Sequence, residues 1–416
     1  MNIFKANLER ITRDIMKLAE FTSTEEPGYT RISFSEEDRR AREHLARLME
    51  EEAGLTVGID AVGNLIGRRQ GKKQRPAIII GSHTDTVMGG GRFDGMAGVV
   101  AGLEVVRLFA EKEIETLHPI EIVSFLAEEP SPFGISTVGS RGMAGMLSKD
   151  LLESLNDSKR MALSAAIKEM GGDPLKITEA KRASRDILAY LELHIEQGPS
   201  LFSQDIHIGV VTGIVGIYRG IINVVGKSNH AGTTQMETRK DALTAASEIV
   251  LALERISRDL DGVVGTIGKI EVFPNSSNVV PGNANMEMEL RSLNASRAAD
   301  ALSLFKTALE NIQKQRGIII NFKEWIGSDP VIFKEKIVEF ICTACDQLEI
   351  PYLKMPSGAG HDASHMAKLA PTGMIFIPSR DGMSHCPEEW SEFEHICMGA
   401  ELLARTITLL DREEDI

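Results

Sequence analysis

The sequence predicts an α/β domain interrupted by a smaller inserted α+β domain. Two patterns predict it. Apolar runs at 77–80 and 120–127 flank an apolar helical stretch over about 96–111, a β-α-β alternation. From about residue 213, strand and helix patterns succeed one another as β-α-β-β-α-β, the split ferredoxin-like order. That block separates His194 from His385, two residues that belong to one chemical pattern described below. The predicted domains are therefore 1–212 with 327–416, and 213–326 as the insertion.

Each element has a local reason. Ile3, Phe4, Leu8, Ile11, Ile15 and Leu18 recur at helical spacing and predict an amphipathic N-terminal helix. Ser35 followed by Glu36, Glu37 and Asp38 is a hydroxyl cap with an acidic first turn, so a helix should run to about Glu52 and stop at Gly54. Residues 146–186 are helical and charged and predict a peripheral elaboration. In the insertion, strands are expected at 214–225, 263–273, 283–290 and 317–325, and helices at 239–260 and 296–315.

Composition bounds the function. The chain has 416 residues, 25% of them charged and 43% hydrophobic, which suits a folded protein of two or more domains. A net charge of −14 argues against nucleic acid or an anionic membrane as partner, since no broad basic face can neutralise phosphates. No run approaches the roughly 18 apolar residues of a membrane span, and no early segment has the pattern of a signal peptide, so the cytoplasm is expected. The four cysteines are too sparse for a disulfide scaffold; Cys342 and Cys345 have redox-motif spacing but lie in an apolar helical pattern, which predicts two buried thiols.

The chemistry concentrates at the ends of apolar runs. Residues 81–95 place His83, Asp85 and Asp94 in a glycine-rich loop directly after 77–80. His-x-Asp suits a metal half-site: the imidazole binds the ion and the carboxylate holds the other ring nitrogen. Glu128 and Glu129 follow the run 120–127. His194 ends a third run and is followed by Gln197, and His385 follows the run 374–378. Strand ends in α/β folds present such groups at one edge. Any one of these motifs alone has a plainer reading as a turn or a solvated face; their repetition points to a metal site.

These segments resemble the dinuclear metal amidohydrolases that include L-N-carbamoylase, allantoate amidohydrolase and β-ureidopropionase, relatives of the aminoacylase-type metallopeptidases. The resemblance rests on Gly-Ser-His-Thr-Asp (81–85), Gly-Gly-Arg-Phe-Asp-Gly (90–95), Glu-Glu (128–129) and Glu-Leu-His-Ile-Glu-Gln-Gly (192–198). It continues through His-Ala-Gly-Thr-Thr (230–234), Asn-Val-Val-Pro-Gly (278–282), Ser-Gly-Ala-Gly-His-Asp (357–362) and Gly-Met-Ser-His-Cys-Pro (382–387), nearly the whole chain. It implies a catalytic domain with a mixed central sheet flanked by helices, and an inserted lid that also forms a homodimer.

By the same resemblance, His83, Asp94 and His194 hold one divalent ion, and Asp94, Glu129 and His385 a second, with Asp94 as bridge. Such a pair polarises a carbonyl and lowers the pKa of a shared water. Nitrogen and oxygen ligands suit Zn, Mn, Co or Ni alike. Asp85 would orient His83. Glu128, uncommitted beside a ligand, is assigned as general base; its plainer reading is a solvent-facing strand end. The equivalent of His230 comes from the dimer partner and stabilises an oxyanion; otherwise it is a turn histidine. A ureido or carbamoyl acid would find its carboxylate partners in Arg291, a planar bidentate fork, and Asn278, with Gln197, Gly358, Ala359 and His361 on its polar parts. Asp362 is the alternative explanation for His361, holding it in place.

The chain departs from the family where Glu128 and Glu129 are followed by Pro130, Ser131 and Pro132, not by a glycine and then an arginine, and where Glu289 stands for the usual Asp of the lid strand. The expected activity is hydrolysis of N-carbamoyl-L-amino acids. Allantoate or another ureido acid, a true amide as in an aminoacylase or dipeptidase, and a metal-free binding protein on the same fold are the other readings.

Overall fold

The computed structural model describes residues 4–24, 27–414 and 416. Ile3 lies outside them. The chain divides into two compact units, one of residues 1–212 with 333–416 and one of 213–332. Among the described residues, no helix is long and apolar enough to cross a membrane.

The first unit is built on a mixed sheet. Its strands run side by side in the order Thr56–Ile59, Leu65–Arg69, Ile120–Phe125, Ala77–His83, Ile187–Ile195, Thr372–Ile377 and Ile208–Ile214. The middle four are mutually parallel, and the flanking pairs are antiparallel. Parallel strands buried on both faces read as continuous apolar runs, and every residue of Ala77–His83, Ile120–Phe125 and Thr372–Ile377 is buried. The helix Met96–Glu111 is buried along almost its whole length and packs on the strands Ala77–His83 and Ile187–Ile195. Helices Phe393–Leu410, Glu335–Leu348 and Leu8–Ala19 add the rest of the helical cover. Ser35 Oγ accepts from Asp38 N and starts the helix Glu36–Arg47, which continues as a π-type turn through Leu48–Glu52. Cys342 and Cys345 are buried free thiols.

Residues 146–186 are not peripheral. Leu152, Leu163, Ala166, Ile167 and Ile177 form a buried cluster with Val62, Leu126, Ala127 and Phe133. The helices Lys149–Ser154 and Leu163–Glu169 thus support the backbone immediately around Glu128 and Glu129. The charges that suggested a surface role lie on the outer sides of these short amphipathic turns.

The second unit holds a four-stranded antiparallel sheet in the order Ile319–Ser328, Gly216–Val225, Asn283–Ser292 and Val263–Phe273. Helices Ala242–Asp259 and Ala295–Arg316 cover one face of it. Ile222, Val224, Met286, Met288 and Leu290 pack there against Ala246, Ile249, Phe305 and Leu309. Side chains alternate across a strand, so the opposite face stays open, with Ile221, Val264 and Ile319 exposed on it. The strand expected at 214–225 is Gly216–Val225, and Ile214 instead ends a separate strand, Ile208–Ile214. One apolar stretch serves two different sheets, and only the hydrogen-bond partners reveal the break. The strand expected to end at Trp325 extends to Ser328.

Candidate metal centre

The carboxyl ends of the four parallel strands bring the predicted ligands to one edge of the sheet, where α/β folds bind ligands. His83 is the last residue of its strand and His194 the last but one of Ile187–Ile195, so both lie inside the strands and not just past them. Asp94 comes from the loop before the helix Met96–Glu111, Glu128 and Glu129 follow Ile120–Phe125, and His385 lies beyond Thr372–Ile377.

Three imidazole Nε2 atoms converge on Asp94. His194 Nε2 lies 3.1 Å and His83 Nε2 3.6 Å from Asp94 Oδ1, and His385 Nε2 lies 3.0 Å from Asp94 Oδ2. His385 Nε2 is also 3.3 Å from Glu129 Oε1. Ligand atoms of His83, Asp94 and His194 gather in one group, and those of Asp94, Glu129 and His385 in a second, each with all atoms within 4.8 Å of one another. Asp94 is common to both.

The arrangement fits divalent cations. His83 Nδ1 donates to the carbonyl of Asp85 at 3.0 Å, and His194 Nδ1 to that of Ile195 at 2.9 Å. With Nδ1 carrying the proton, each Nε2 keeps a free lone pair aimed at Asp94, the tautomer a metal requires. His194 Nε2 is buried and, despite its closeness to Asp94, makes no hydrogen bond. A buried acceptor without a donor costs about 1–3 kcal/mol, and an ion between imidazole and carboxylate would relieve it. Gly95 permits the enclosure: its φ is +66°, and a Cβ there would sit 2.4 Å from His83 Nε2. All ligand atoms are nitrogen or oxygen; the Cys386 thiol is in none of these groups. A third group, Glu192, His194 and His361, is also close. Glu192 is already committed there, accepting from Ser82 Oγ, Tyr190 OH and Ala363 N.

The electrostatics are those of a packed charge cluster. Burial works against ionisation of Asp94, yet the closeness of the His194, His385 and His83 rings holds it well below the ordinary carboxylate range. Glu128 is driven the other way. Burial raises its carboxyl well above the usual value, helped by the charges of Asp362, Glu129 and Asp85, with His83 opposing. Its Oε2 lies 3.7 Å from His83 Nε2. Ala127, Gln197 and His385 have φ of 52°, 56° and 57°. Left-handed backbone at non-glycine residues costs about 1–3 kcal/mol each and gathers at functional sites.

Several expectations need correction. Asp85 meets His83 Nδ1 mainly through its backbone carbonyl at 3.0 Å; its carboxylate Oδ1 stands 3.6 Å from the same nitrogen and accepts from Glu128 N at 3.3 Å, while Oδ2 accepts from Glu129 N at 3.0 Å. Asp85 therefore anchors the glutamate pair. His361 is held by Ser357 Oγ at 2.9 Å and stacks edge-on to His194, whereas both carboxylate oxygens of Asp362 lack a hydrogen-bond partner. Gln197 Nε2 donates to Asp94 Oδ2 at 2.8 Å and lies 3.2 Å from His385 Nε2, so its amide engages the ligands themselves. Ala359 N donates to Ser357 Oγ, which ties the 357–361 loop to the wall around His361; Gly358 lies in the same loop.

The remaining predicted residues belong to the second unit. His230 is exposed, and its Nδ1 accepts from Gly232 N and Thr233 N. Asn278 lies beside it, its carbonyl accepting from Ala231 N at 2.9 Å. Arg291 meets Glu289 at 2.6 Å, and Glu289 also binds Arg219 at 2.9 Å. The fork expected for a substrate carboxylate thus already engages a carboxylate of its own strand.

Sequence reasoning missed Glu389, which is buried between the loops of Asp94 and His385. Its position four residues after a ligand was a signal, but an adjacent pair of glutamates resembles any solvated turn.

The model of Peptidase family M20/M25/M40 matches residues 79–409. The chain is 39% identical to an N-carbamoyl-L-amino acid amidohydrolase of Geobacillus stearothermophilus over 98% of this chain and 99% of that one. It is 34% identical to an allantoate amidohydrolase of Escherichia coli over 93% of this chain and 94% of that one. The crystal structure of a hydantoinase/carbamoylase family amidase from Burkholderia multivorans superposes with a TM-score of 0.94 at 33% identity, covering 99% of this chain and all of that one.

Proposed function

The chain belongs to Peptidase family M20/M25/M40, and within it we propose that it hydrolyses the carbamoyl C–N bond of N-carbamoyl-L-amino acids, giving L-amino acid, ammonia and carbon dioxide. That it is an amidohydrolase follows from its similarity to enzymes of that kind along nearly its whole length. The observation that carries the reading is the pair of atom groups sharing Asp94, found in a chain 39% identical to a carbamoylase.

His83, Asp94 and His194 would hold one divalent ion and Asp94, Glu129 and His385 another, of zinc, manganese, cobalt or nickel. When bound, such ions supply Lewis-acid polarisation of the carbonyl and a water of lowered pKa. Glu128 Oε2 takes the proton of the attacking water and delivers it to the leaving nitrogen. Asp85 keeps Glu128 and Glu129 in place through their backbone amides. Arg291 exchanges Glu289 for the substrate carboxylate, and Asn278 is a further donor to it; Gln197, the 357–361 loop and His361 bind the ureido end. The second unit serves as lid and dimerisation surface, a role its open, partly apolar sheet face supports.

The test is ammonia release by metal-reconstituted protein over N-carbamoyl-L-amino acids, their D-enantiomers, their α-amides, allantoate, β-ureidopropionate, N-acetyl amino acids and dipeptides. Turnover of N-carbamoyl-L-amino acids with loss on blocking the carboxylate is expected. Preference for allantoate, which the 34% identical relative supports as the second reading, would replace the substrate. Release only of amines from acyl amides or dipeptides would overturn the carbamoylase assignment. Equal turnover of the α-amides would remove Arg291 from carboxylate binding.

His230 is proposed to act from the partner subunit. Inactive His230→Ala and Asp94→Ala chains, mixed and reassembled, should recover about a quarter to a half of wild-type activity, because one site in each hybrid is complete. Absence of recovery in demonstrated hybrids would argue against a shared site.

A further inference from the structure

Resting on that reading of the metal centre, we propose that Glu389 is the positioning residue that couples the two ion sites. Glu389 is 3% exposed, and its carboxylate takes four donors. Oε1 accepts from Phe93 N at 3.0 Å and Asp94 N at 3.1 Å. Oε2 accepts from Ser384 Oγ at 2.9 Å and His385 N at 3.3 Å. One oxygen therefore holds the backbone of the shared carboxylate, and the other holds the backbone of a histidine nearly 300 residues away in the chain. Ser384 Oγ, whose one proton goes to Glu389 at the shorter distance, also stands 3.4 Å from Asp94 Oδ2.

The surroundings are shaped for this carboxylate. A Cβ on Gly91 would lie 2.0 Å from Glu389 Oε1, so only glycine leaves room for it. His385 sits in left-handed backbone at φ 57°, a conformation that needs outside support, and Glu389 Oε2 supplies it at the amide of that same residue. Glu389 need not touch substrate or ion. It acts through Asp94 and His385, as outer-shell groups orient metal ligands.

The two oxygens make the proposal separable. In Glu389→Gln the amide oxygen can keep the Phe93 and Asp94 amides. The NH₂ can donate to Ser384 Oγ, but it opposes the His385 N–H, donor against donor. The ion that depends on His385 should therefore weaken while the ion of His83, Asp94 and His194 stays near its wild-type affinity.

The experiment is calorimetric titration of the metal-free, full-length protein with Co²⁺, with the visible Co²⁺ spectrum followed in parallel. Wild type, Glu389→Gln and Ser384→Ala are compared, and the circular dichroism and Tm of each metal-free form verify folding. Two binding events are expected for wild type. For Glu389→Gln, one event should weaken about 10–100-fold, the usual size of an outer-shell effect, and the other should change less than about threefold. Ser384→Ala, which removes the hydroxyl between Glu389 and Asp94, should weaken the same event by less. Two wild-type-like events in Glu389→Gln, or equal weakening of both, would overturn the coupling role. Absence of binding by wild type would instead overturn the metal reading on which it rests.

Discussion

Glu128→Gln should retain metal and lose turnover by about 10²–10⁴-fold, the range a positioned general base contributes. The substitution keeps size and removes the ability to take a proton. Glu128 Oε2 stands 3.7 Å from His83 Nε2, beside the ligand groups but in neither of them, so ion content should not change. KM should move little, because no substrate contact is assigned to this side chain. Glu128→Asp separates position from chemistry. It keeps the carboxylate and draws it back by about 1 Å, a misplacement that can itself cost about 10²-fold. Metal analysis beside steady-state kinetics settles the matter: kcat within tenfold of wild type for Glu128→Gln would remove Glu128 as the base.

Asp94→Ala should remove both ions, not one. Its two oxygens face different histidine sets, Oδ1 toward His83 and His194 and Oδ2 toward His385. Metal per chain, by elemental analysis after dialysis, should fall from two to below one, and turnover should fall by more than the ~100-fold typical of outer-shell lesions. His385→Ala is the contrasting variant: it should cost one ion and spare the other. Retention of two ions by Asp94→Ala would show that Asp94 does not join the sites.

The ligands were legible in the sequence because each is tied to a strand end. A buried parallel strand must be an apolar run, and its carboxyl end must face solvent or a site. His83, Glu129, His194 and His385 stand out as candidate ligands by sharing this position, and the resemblance divides them into two sets. The roles of their neighbours were not legible. Asp85 has the spacing to hold a histidine, yet its carboxylate reaches two backbone amides of a loop more than forty residues on. Backbone donors leave no trace in residue identity. The same is true of Glu389, whose four partners are three amides and one hydroxyl.

Local pattern by itself determined the four parallel strands of the first sheet, the capped helix after Ser35, the β-α-β-β-α-β block and the residues able to bind metal. Tertiary structure alone decided that Gln197 engages Asp94, that residues 146–186 pack beneath Glu128, and that Arg291 is already paired with Glu289. The division has one physical cause. Hydrophobic periodicity and capping act between residues a few positions apart and are written along the chain. Side-chain hydrogen bonds and ion pairs, whether between groups two residues apart or hundreds, choose their partners only once the chain has packed.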